Sequence, residues 1–333
     1  MPKHPDLAIF GAGAWGTALA MAWGREGAHV ALWGVPPEAI QELALSRRHP
    51  RLPQAELPAS VRPMTEPAEA LGAPIWVSAL PTQVTPEVWA SLVSREKHRP
   101  ELLIHASKGI LLGSHQRLSE TLEPLLGVPV GVLSGPTFSD EVALNLPAAL
   151  VLALPATLPD ERALQLQTLL ATPRLRIYLS QDVAGVELCG AFKNVLAIAA
   201  GLVESLGLGH NAKAALMTRG LAEMARLVEK LGGRPETVMG LAGMGDLFLT
   251  ATGPQSRNRR FGALVGAGRS PKAAAATMGE QVVEGVATTD AALALAQSVG
   301  VELPITGVIS QLLRGEDPHE AVSHLMGRSL KSE

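Results

Sequence analysis

Short apolar runs alternate with segments of helical period along the first part of the chain, and this alternation stops near Ser180. Such alternation is typical of a mostly parallel, doubly wound sheet, because successive parallel strands are joined by helices that cover its faces. After Asp182 the strand signal fades, and long stretches rich in alanine and leucine follow. We therefore predict an α/β domain over residues 1–180 and an all-α domain over residues 181–333, each of ordinary domain size.

The predicted elements of the first domain are six strands and five helices. The strand candidates are residues 7–10, 29–33, 74–79, 102–106, 128–133 and 149–154. The helical segments between them are residues 15–25, 37–45, 86–93, 114–125 and 160–170. In the second domain we predict helices over residues 183–204, 211–231, 257–265, 289–298 and 306–313.

A glycine-rich motif directly follows the first apolar run. Residues 6–10 lead into Gly11-Ala-Gly13-Ala-Trp-Gly16, and strong helix formers follow. In a dinucleotide-binding turn, Gly11 permits the tight bend, Gly13 lets the backbone approach a pyrophosphate, and Gly16 allows close packing of helix on strand. A glycine-rich turn can also serve packing alone. Its position between a strand and a helix is the reason to predict a dinucleotide site.

The residues that distinguish NAD from NADP are less clear. An NAD site usually carries an acidic residue at the end of the second strand, where it holds the ribose 2′-hydroxyl. Here that strand ends in Trp33-Gly34-Val35, without an acid or a base. Arg47, Arg48 and Arg51 lie further along and incline the prediction towards NADP, although a solvated basic surface explains them equally well. The choice between NAD and NADP stays open.

Two segments of the second domain are candidates for acid–base chemistry. Lys193 and Asn194 interrupt an apolar helical run, where a lysine must reach the surface, form a pair or lie in a cleft. Burial or neighbouring cations would lower its pKa towards the working range of a general acid or base. Asp246 is bracketed by glycines and can orient a lysine or a substrate hydroxyl. The alternatives are a surface lysine and a helix-capping aspartate.

Two further segments are candidates for anion binding. Ser256 precedes Arg257, Asn258 and two more arginines at the start of a predicted helix. Helix N-terminal amides together with guanidinium groups can bind a phosphate, although such a charge run is more often a solvated face. Lys108 follows the end of a predicted strand, where ligands of open parallel sheets bind.

Composition and spacing exclude several classes of function. The net charge is −3, from 28 basic and 31 acidic residues, so no basic field attracts nucleic acid or anionic lipid. Cys189 is the single cysteine and cannot form an internal disulfide, which favours a reducing compartment. The sequence shows no spacing typical of metal ligands and no signal peptide. Apolar stretches such as residues 195–203 are shorter than the roughly 18 residues that span a bilayer. We expect a soluble, cytoplasmic protein without stable membrane insertion and without a nucleic-acid partner.

Taken together, the motifs resemble one family, the bacterial type of NAD(P)-dependent glycerol-3-phosphate dehydrogenase. Eight landmarks run in order over nearly the whole chain: GAGAWGTALA at 11–20, SKG at 107–109, SGPTF at 134–138, KNV at 193–195, TRGLAEM at 218–224, GxGDL at 243–247, SRNRRFG at 256–262 and VVEG at 282–285. The resemblance implies a Rossmann domain followed by a helical domain. It also implies interconversion of dihydroxyacetone phosphate and sn-glycerol 3-phosphate with NAD or NADP, for glycerophospholipid synthesis.

The resemblance also implies roles for individual residues. Lys193 is then the general acid/base, and Lys108 and Asp246 act with it. The residues expected at the substrate are Lys108, Gly135, Thr137, Lys193, Asn194, Asp246, Thr250, Ser256, Arg257 and Asn258. The residues expected at the cofactor are Gly11, Gly13, Ala14, Trp15, Gly16, Lys108, Ser139, Arg257, Val282 and Glu284. The family often has His or Arg where Val35 stands and an aromatic residue where Arg51 stands, so the adenosine end departs from the pattern.

Other functions fit the same architecture. One is a related dehydrogenase that acts on a hydroxy acid or an acyl thioester, and another is a regulator that senses NAD(P) without catalysis. The retention of Lys193, Lys108 and Asp246 argues against the regulator. We expect Lys108 and Arg257 to depress the pKa of Lys193 and Asp246 to offset this effect. The oligomeric state is left open, with a homodimer as the arrangement considered.

Overall fold

The computed structural model describes residues 5–96, 98–279 and 283–327. The chain divides into two units, Met1–Ser107 with Arg117–Val183, and Lys108–Gln116 with Ala184–Glu333. The sequence analysis places one change of class near Ser180. The structure differs in one respect, because the short segment Lys108–Gln116 belongs to the second unit.

The first unit is built on a sheet whose described strands are β1 (Leu7–Phe10), β2 (Val30–Trp33), β3 (Val61–Met64), β4 (Ile75–Ser78), β5 (Leu102–His105), β6 (Val130–Ser134), β7 (Ala148–Ala153) and β8 (Leu175–Ser180). They are ordered β3-β2-β1-β4-β5-β6-β7-β8. The first six strands in this order are parallel, β7 runs antiparallel to β6, and β8 runs parallel to β7. The order 3-2-1-4-5-6 is that of a Rossmann fold, and the predicted fold class is confirmed.

Both strands that the sequence analysis missed lie at the edges of this sheet. β3 has the sequence Val-Arg-Pro-Met, and a proline within a short run argues against a strand unless the strand is at an edge. β8 buries Leu175 and Ile177 but exposes Arg176 and Tyr178, so it lacks the continuous apolar run of the central strands. Edge strands with solvated faces carry a weaker apolar signal than buried ones.

The helices of the first unit lie between its strands in the sequence. They are α1 (Ala14–Arg25), α2 (Pro37–Ser46), α3 (Ala68–Leu71), α4 (Thr85–Arg95), α5 (Leu118–Leu126), α6 (Ser139–Ala143) and α7 (Asp160–Leu170). Nearly all of α1 is buried, and its Trp23 Nε1 donates to the carbonyl of Leu170 at 2.9 Å. Arg25 donates to the carbonyls of Val142 and Ala143 at the end of α6. These bonds fix α1, which begins at the glycine motif, against two other helices of the unit.

The second unit is helical throughout the part of it that the structure describes. Its elements are α8 (Val183–Ser205), α9 (Gly209–Lys230), α10 (Pro235–Val238), a π-helical turn (Leu241–Gly245), α11 (Asp246–Thr252), α12 (Arg257–Gly266), α13 (Pro271–Met278), α14 (Glu284–Ser298), α15 (Pro304–Leu313) and α16 (Pro318–Met326). No strand lies among its described residues.

The longest apolar element of the described chain is α8. By length and composition it is able to cross a membrane, and it is longer than the apolar run at residues 195–203 that the sequence analysis considered. All of the 18-residue apolar window in α8 is buried inside the protein. The rest of the protein therefore already covers the surface that a lipid would contact, as in the core helix of a globular domain.

Glycines allow α12 to pack unusually close to α8. A Cβ atom at Gly262 would lie 2.0 Å from the carbonyl oxygen of Ile198, and a Cβ at Gly201 would lie 1.9 Å from that of Arg259. Neither position leaves room for any side chain, because the obstructing atoms belong to the backbone. The N-terminus of α12 is thus held at a fixed place relative to the lysine in α8.

Candidate functional site

The glycine motif adopts the geometry that its spacing predicts. Gly11 has φ +116°, and a Cβ atom there would lie 2.7 Å from the carbonyl oxygen of Ala79. A Cβ at Gly16 would lie 2.0 Å from the carbonyl oxygen of Gly11, so the helix can approach the turn only without a side chain. Gly13 is the residue that precedes α1. The turn therefore presents bare backbone at the start of a helix.

The start of α1 also offers donors that a dinucleotide would use. The first turn carries no acidic residue and no side-chain cap, which leaves its amide groups available to an anion. Trp15 lies in this turn, and its buried Nε1 has no hydrogen-bond partner among the described residues. Ala14 is the first residue of the helix. These features fit the binding of a diphosphate, and the cofactor contacts of the individual residues stay predictions.

A second loop of the first unit carries three more of the predicted residues. Gly135 follows β6 and has φ +153°, and Thr137 donates its Oγ1 hydrogen to the carbonyl of Gly135 at 3.3 Å. Ser139 begins α6 and is half-buried. Because β1 and β6 are parallel strands of one sheet, this loop lies at the same sheet edge as the glycine motif, where ligands of such sheets bind.

Two lysines and one aspartate form the most unusual polar cluster of the second unit. Lys193 Nζ donates to Asp246 Oδ1 at 2.7 Å, and Lys108 Nζ donates to Asp246 Oδ2 at 2.5 Å. Lys193 is 7% exposed and Asp246 is fully buried, whereas the Lys108 side chain is 18% exposed. A single carboxylate therefore bridges two ammonium groups, and the cluster carries one net positive charge when all three groups are ionised.

The environment of Lys193 favours its neutral form. Its pKa is lowered from 10.5 to about 8, chiefly because burial removes the ammonium group from water. Asp246 raises the pKa through its negative charge, and Lys108 lowers it through its positive charge. The sequence analysis expected burial and Lys108 to lower this pKa, and both do, whereas Arg257, which it also expected to contribute, is not among the causes.

Local backbone structure places Asp246 and Thr250 at the lysine. The π-helical turn ends directly before Asp246, and such turns are frequent at functional sites. Thr250 lies one helical turn further on, donates its hydroxyl hydrogen to the carbonyl of Asp246 at 2.6 Å, and accepts from Lys193 Nζ at 2.8 Å. Lys193 thus has two fixed acceptors and one ammonium hydrogen left for another partner.

A chain of buried amides supports this cluster. Asn258 Nδ2 donates to Asn194 Oδ1 at 2.9 Å, and Asn258 Oδ1 accepts from the backbone N–H of Gly285 at 3.0 Å. Asn194 Nδ2 in turn donates to the carbonyl of Lys108 at 3.3 Å. The chain ties α8, α12 and α14 to the segment that carries Lys108. Gly285 is a member of this chain that sequence reasoning missed, because its contribution is a backbone amide.

Ser256 caps the start of α12 as predicted, but one arginine of the run forms an ion pair. Ser256 Oγ accepts from the backbone N–H of Arg259 at 3.2 Å, and Arg257 is the exposed first residue of the helix. Arg259 donates twice to Glu204, at 2.7 and 2.8 Å. Arg259 is therefore engaged in an ion pair, and the anion-binding role of Arg257 stays a prediction.

The structure brings the predicted residues together in two groups. The glycine motif lies in the first unit with Gly135, Thr137 and Ser139, whereas the lysine cluster, the amide chain and the start of α12 lie in the second. Glu284 is the half-buried first residue of α14. Val282 lies outside the described residues. The described chain contains no group of three residues able to hold a metal ion.

A Rossmann unit with a bare glycine turn, and a helical unit with a buried lysine of lowered pKa, define the class of nicotinamide-dependent dehydrogenases with a helical catalytic domain. Within this class, the comparison with known families identifies one family. Residues 6–157 match the family model described as the NAD-dependent glycerol-3-phosphate dehydrogenase N-terminus, and residues 182–323 match the one described as its C-terminus. The chain belongs to the NAD-dependent glycerol-3-phosphate dehydrogenase family and is an oxidoreductase.

Individual relatives match over nearly their whole length. The chain is 44% identical to glycerol-3-phosphate dehydrogenase (NAD(P)+) of Thioalkalivibrio sulfidiphilus, with 99% of both chains covered. It is 42% identical to the protein of the same name from Halalkalibacterium halodurans, with 98% of this chain and 95% of the relative covered. A crystal structure of glycerol-3-phosphate dehydrogenase from Coxiella burnetii matches with a TM-score of 0.90 and 40% identity, over 98% of this chain and all of the other.

Proposed function

We propose that the protein reversibly reduces dihydroxyacetone phosphate to sn-glycerol 3-phosphate with NADH or NADPH. The observation that carries the proposal is Lys193, a buried lysine of lowered pKa that is held by Asp246 and Thr250. The names of the full-length relatives give the same activity and cofactors for those proteins. We expect the product to serve glycerophospholipid synthesis.

Lys193 acts as the general acid in the direction of reduction. When bound, a nicotinamide cofactor would supply the hydride for the carbonyl carbon, and the carbonyl oxygen would gather negative charge. The ammonium group of Lys193 stabilises this oxygen and then protonates it. With a pKa of about 8, most of Lys193 is protonated at neutral pH, yet it releases its proton more readily than an exposed lysine.

Asp246 and Lys108 set the charge around the transferred proton. Asp246 fixes the direction of Lys193 Nζ and offsets the repulsion between the two ammonium groups. Lys108 adds a second positive charge, so the cluster is complementary to an oxyanion as long as Lys193 carries its proton. In the oxidation direction neutral Lys193 accepts the proton of the substrate hydroxyl.

The phosphate of the substrate is the group that the start of α12 would bind. Arg257 and the amides of the first turn supply donors there, while Ser256 holds the turn as its cap. The phosphate does not react, so the energy of binding it positions the carbonyl group for the chemical step. Substrates without this phosphate should react poorly for the same reason.

The test is an assay of NADH and NADPH oxidation with dihydroxyacetone phosphate, with unphosphorylated dihydroxyacetone as the matched control. We expect turnover with the phosphorylated ketone, formation of sn-glycerol 3-phosphate, and a far lower kcat/KM without the phosphate. Equal kcat/KM for the two ketones, or turnover confined to hydroxy acids, would contradict the proposed substrate. Absence of turnover with both cofactors would instead support a cofactor sensor.

We further propose that the protein acts in the cytoplasm, and a homodimer is the oligomeric state to be tested. The burial of α8 supports a protein that is not inserted in a membrane, and the single buried cysteine is compatible with a reducing compartment. Light scattering of the purified protein measures the oligomeric state. A mass equal to one chain at micromolar concentration would contradict the dimer.

A further inference from the structure

Three arginines follow the second strand of the Rossmann unit, and two of them hold the loop itself together. The guanidinium group of Arg47 donates to the carbonyls of Leu57, Pro58 and Val61. Arg48 donates to the carbonyl of Pro53 at 2.9 Å and to Glu56 at 3.1 Å. These donors are used within the protein, so neither residue supports the inclination towards NADP that the sequence suggested.

The third arginine belongs to a turn that is attached to the glycine motif. His49 Nδ1 accepts from the backbone N–H of Arg51 at 3.1 Å, and the same imidazole hydrogen-bonds to the backbone of Ala12. His49 is buried, and Leu52 N–H closes the turn by donating to its carbonyl at 2.8 Å. The backbone of Arg51 therefore has a defined position next to the glycine motif.

The side chain of Arg51 extends over that motif. Its Nη2 lies 3.6 Å from the point that a Cβ atom of Gly13 would occupy. The side chain is exposed, and its guanidinium group forms no hydrogen bond or ion pair within the described residues. Gly13 is the position at which this type of turn lets a pyrophosphate approach the backbone. The guanidinium donors are thus available beside that position.

We propose that Arg51 binds the diphosphate of the dinucleotide, together with the amides at the start of α1. The inference rests on the nucleotide binding that the proposed function requires, and it adds a residue and a ligand group to that site. A guanidinium group suits two adjacent phosphates because it offers planar, paired donors. The diphosphate is common to NAD and NADP, so Arg51 contributes equally to both.

A competing role for Arg51 is recognition of the 2′-phosphate of NADP. That group would be expected near the end of β2, where the ribose is held in this fold. Val35 stands there, is 68% exposed and carries no charge. The position of Arg51 at Gly13 favours the diphosphate over the 2′-phosphate, and the two roles give different binding patterns.

The experiment is calorimetric titration of the cofactor-free protein with NADH, NADPH, ADP and AMP. The variants are Arg51→Gln, Arg51→Lys and, as a control, Arg48→Gln, which removes the same charge from the same loop. In Arg51→Gln we expect NADH and NADPH to bind about ten times more weakly, by similar factors, with a smaller preference for ADP over AMP. Arg51→Lys should recover part of the affinity, and Arg48→Gln should bind like the wild type.

Three results would overturn the inference. One is unchanged affinity of Arg51→Gln for both cofactors, and another is a loss confined to NADPH, which would assign Arg51 to the 2′-phosphate. The third is an equal loss in Arg48→Gln, which would indicate a general effect of loop charge. Each of these results would contradict the role of Arg51 without contradicting the proposed dehydrogenase function. If the wild-type protein bound neither cofactor, the proposed function would be contradicted as well.

Discussion

The charge of Lys193 is controlled by three contributions that differ in sign. Burial disfavours the ammonium form, Asp246 favours it, and Lys108 disfavours it again. Without Asp246, two lysines would face each other in a buried site, which is unfavourable for both. The aspartate therefore raises the pKa of Lys193 and favours its protonated form at neutral pH.

Replacement of Lys193 by methionine should lower kcat for ketone reduction on the order of a hundredfold or more, the usual effect of losing an acid catalyst. The wild-type rate should fall as the pH rises through about 8, because the acid form of Lys193 disappears there, and the remaining rate of the variant should lack this decline. Stopped-flow measurement of the hydride step from pH 6 to pH 10 tests both points.

Lys213→Met is the matched control, since Lys213 pairs with exposed Glu204 on the surface, where an ion pair contributes little. Near-normal turnover in Lys193→Met, or a variant that keeps the decline near pH 8, would remove Lys193 from the role of general acid.

At the scale of elements, helix packing in the second unit depends on positions where a side chain does not fit. Gly262 in α12 faces the backbone of α8, as described above. A glycine in a helix interior is less favourable than alanine by roughly 0.5–1 kcal/mol, so its presence reflects the close approach rather than helix propensity.

Gly262→Ala should therefore destabilise the protein by about 1–3 kcal/mol, the usual effect of inserting a methyl group into a packed interface. Urea unfolding followed by circular dichroism measures this change. Gly307→Ala is the control, because Gly307 lies in α15 with nothing within 4 Å of its Cβ position, and alanine there should be neutral or stabilising. Equal effects of the two substitutions would show that the approach of α12 to α8 is not limiting.

A buried carboxylate connects two other helices of the second unit. Glu223 in α9 accepts from the backbone N–H groups of Ile305 at 2.7 Å and Thr306 at 3.4 Å, at the start of α15. Burial raises the pKa of Glu223 to about 7, although these N–H groups and Arg226 act in the opposite direction. The folded protein therefore binds this proton more tightly than the unfolded chain does.

The contribution of Glu223 to stability should be fully present below pH 4.5 and should be lost as the pH rises through about 7. Glu223→Gln, which imitates the protonated form, should gain stability relative to the wild type between pH 5 and pH 8. The gain should be on the order of 2–3 kcal/mol. Denaturant unfolding of both proteins at several pH values gives this difference, and a difference that does not change with pH would contradict the assignment.

At the scale of the whole molecule, features that depend on a local sequence pattern could be predicted, and features that depend on contacts between distant segments could not. The central strands are continuous apolar runs, so the Rossmann class could be predicted, whereas the edge strand at Val61–Met64 has a mixed composition and was missed. The motif identified Lys193 and Asp246 as candidates. Two ion pairs, Lys193 with Asp246 and Arg259 with Glu204, join helices that are far apart in the sequence. Such pairs depend on how the helices pack and could not be predicted from residue spacing.

The segment Lys108–Gln116 precedes much of the Rossmann unit in the chain but belongs to the helical one, where Lys108 binds Asp246. A gene divided at codon 183 would leave Lys108 on one polypeptide and both Asp246 and Lys193 on the other. Recombination between relatives at a single crossover point would likewise combine a lysine from one parent with an aspartate from the other. A recombinant protein keeps the helical unit of one parent intact only when residues 108–116 and residues 184–333 come from that same parent.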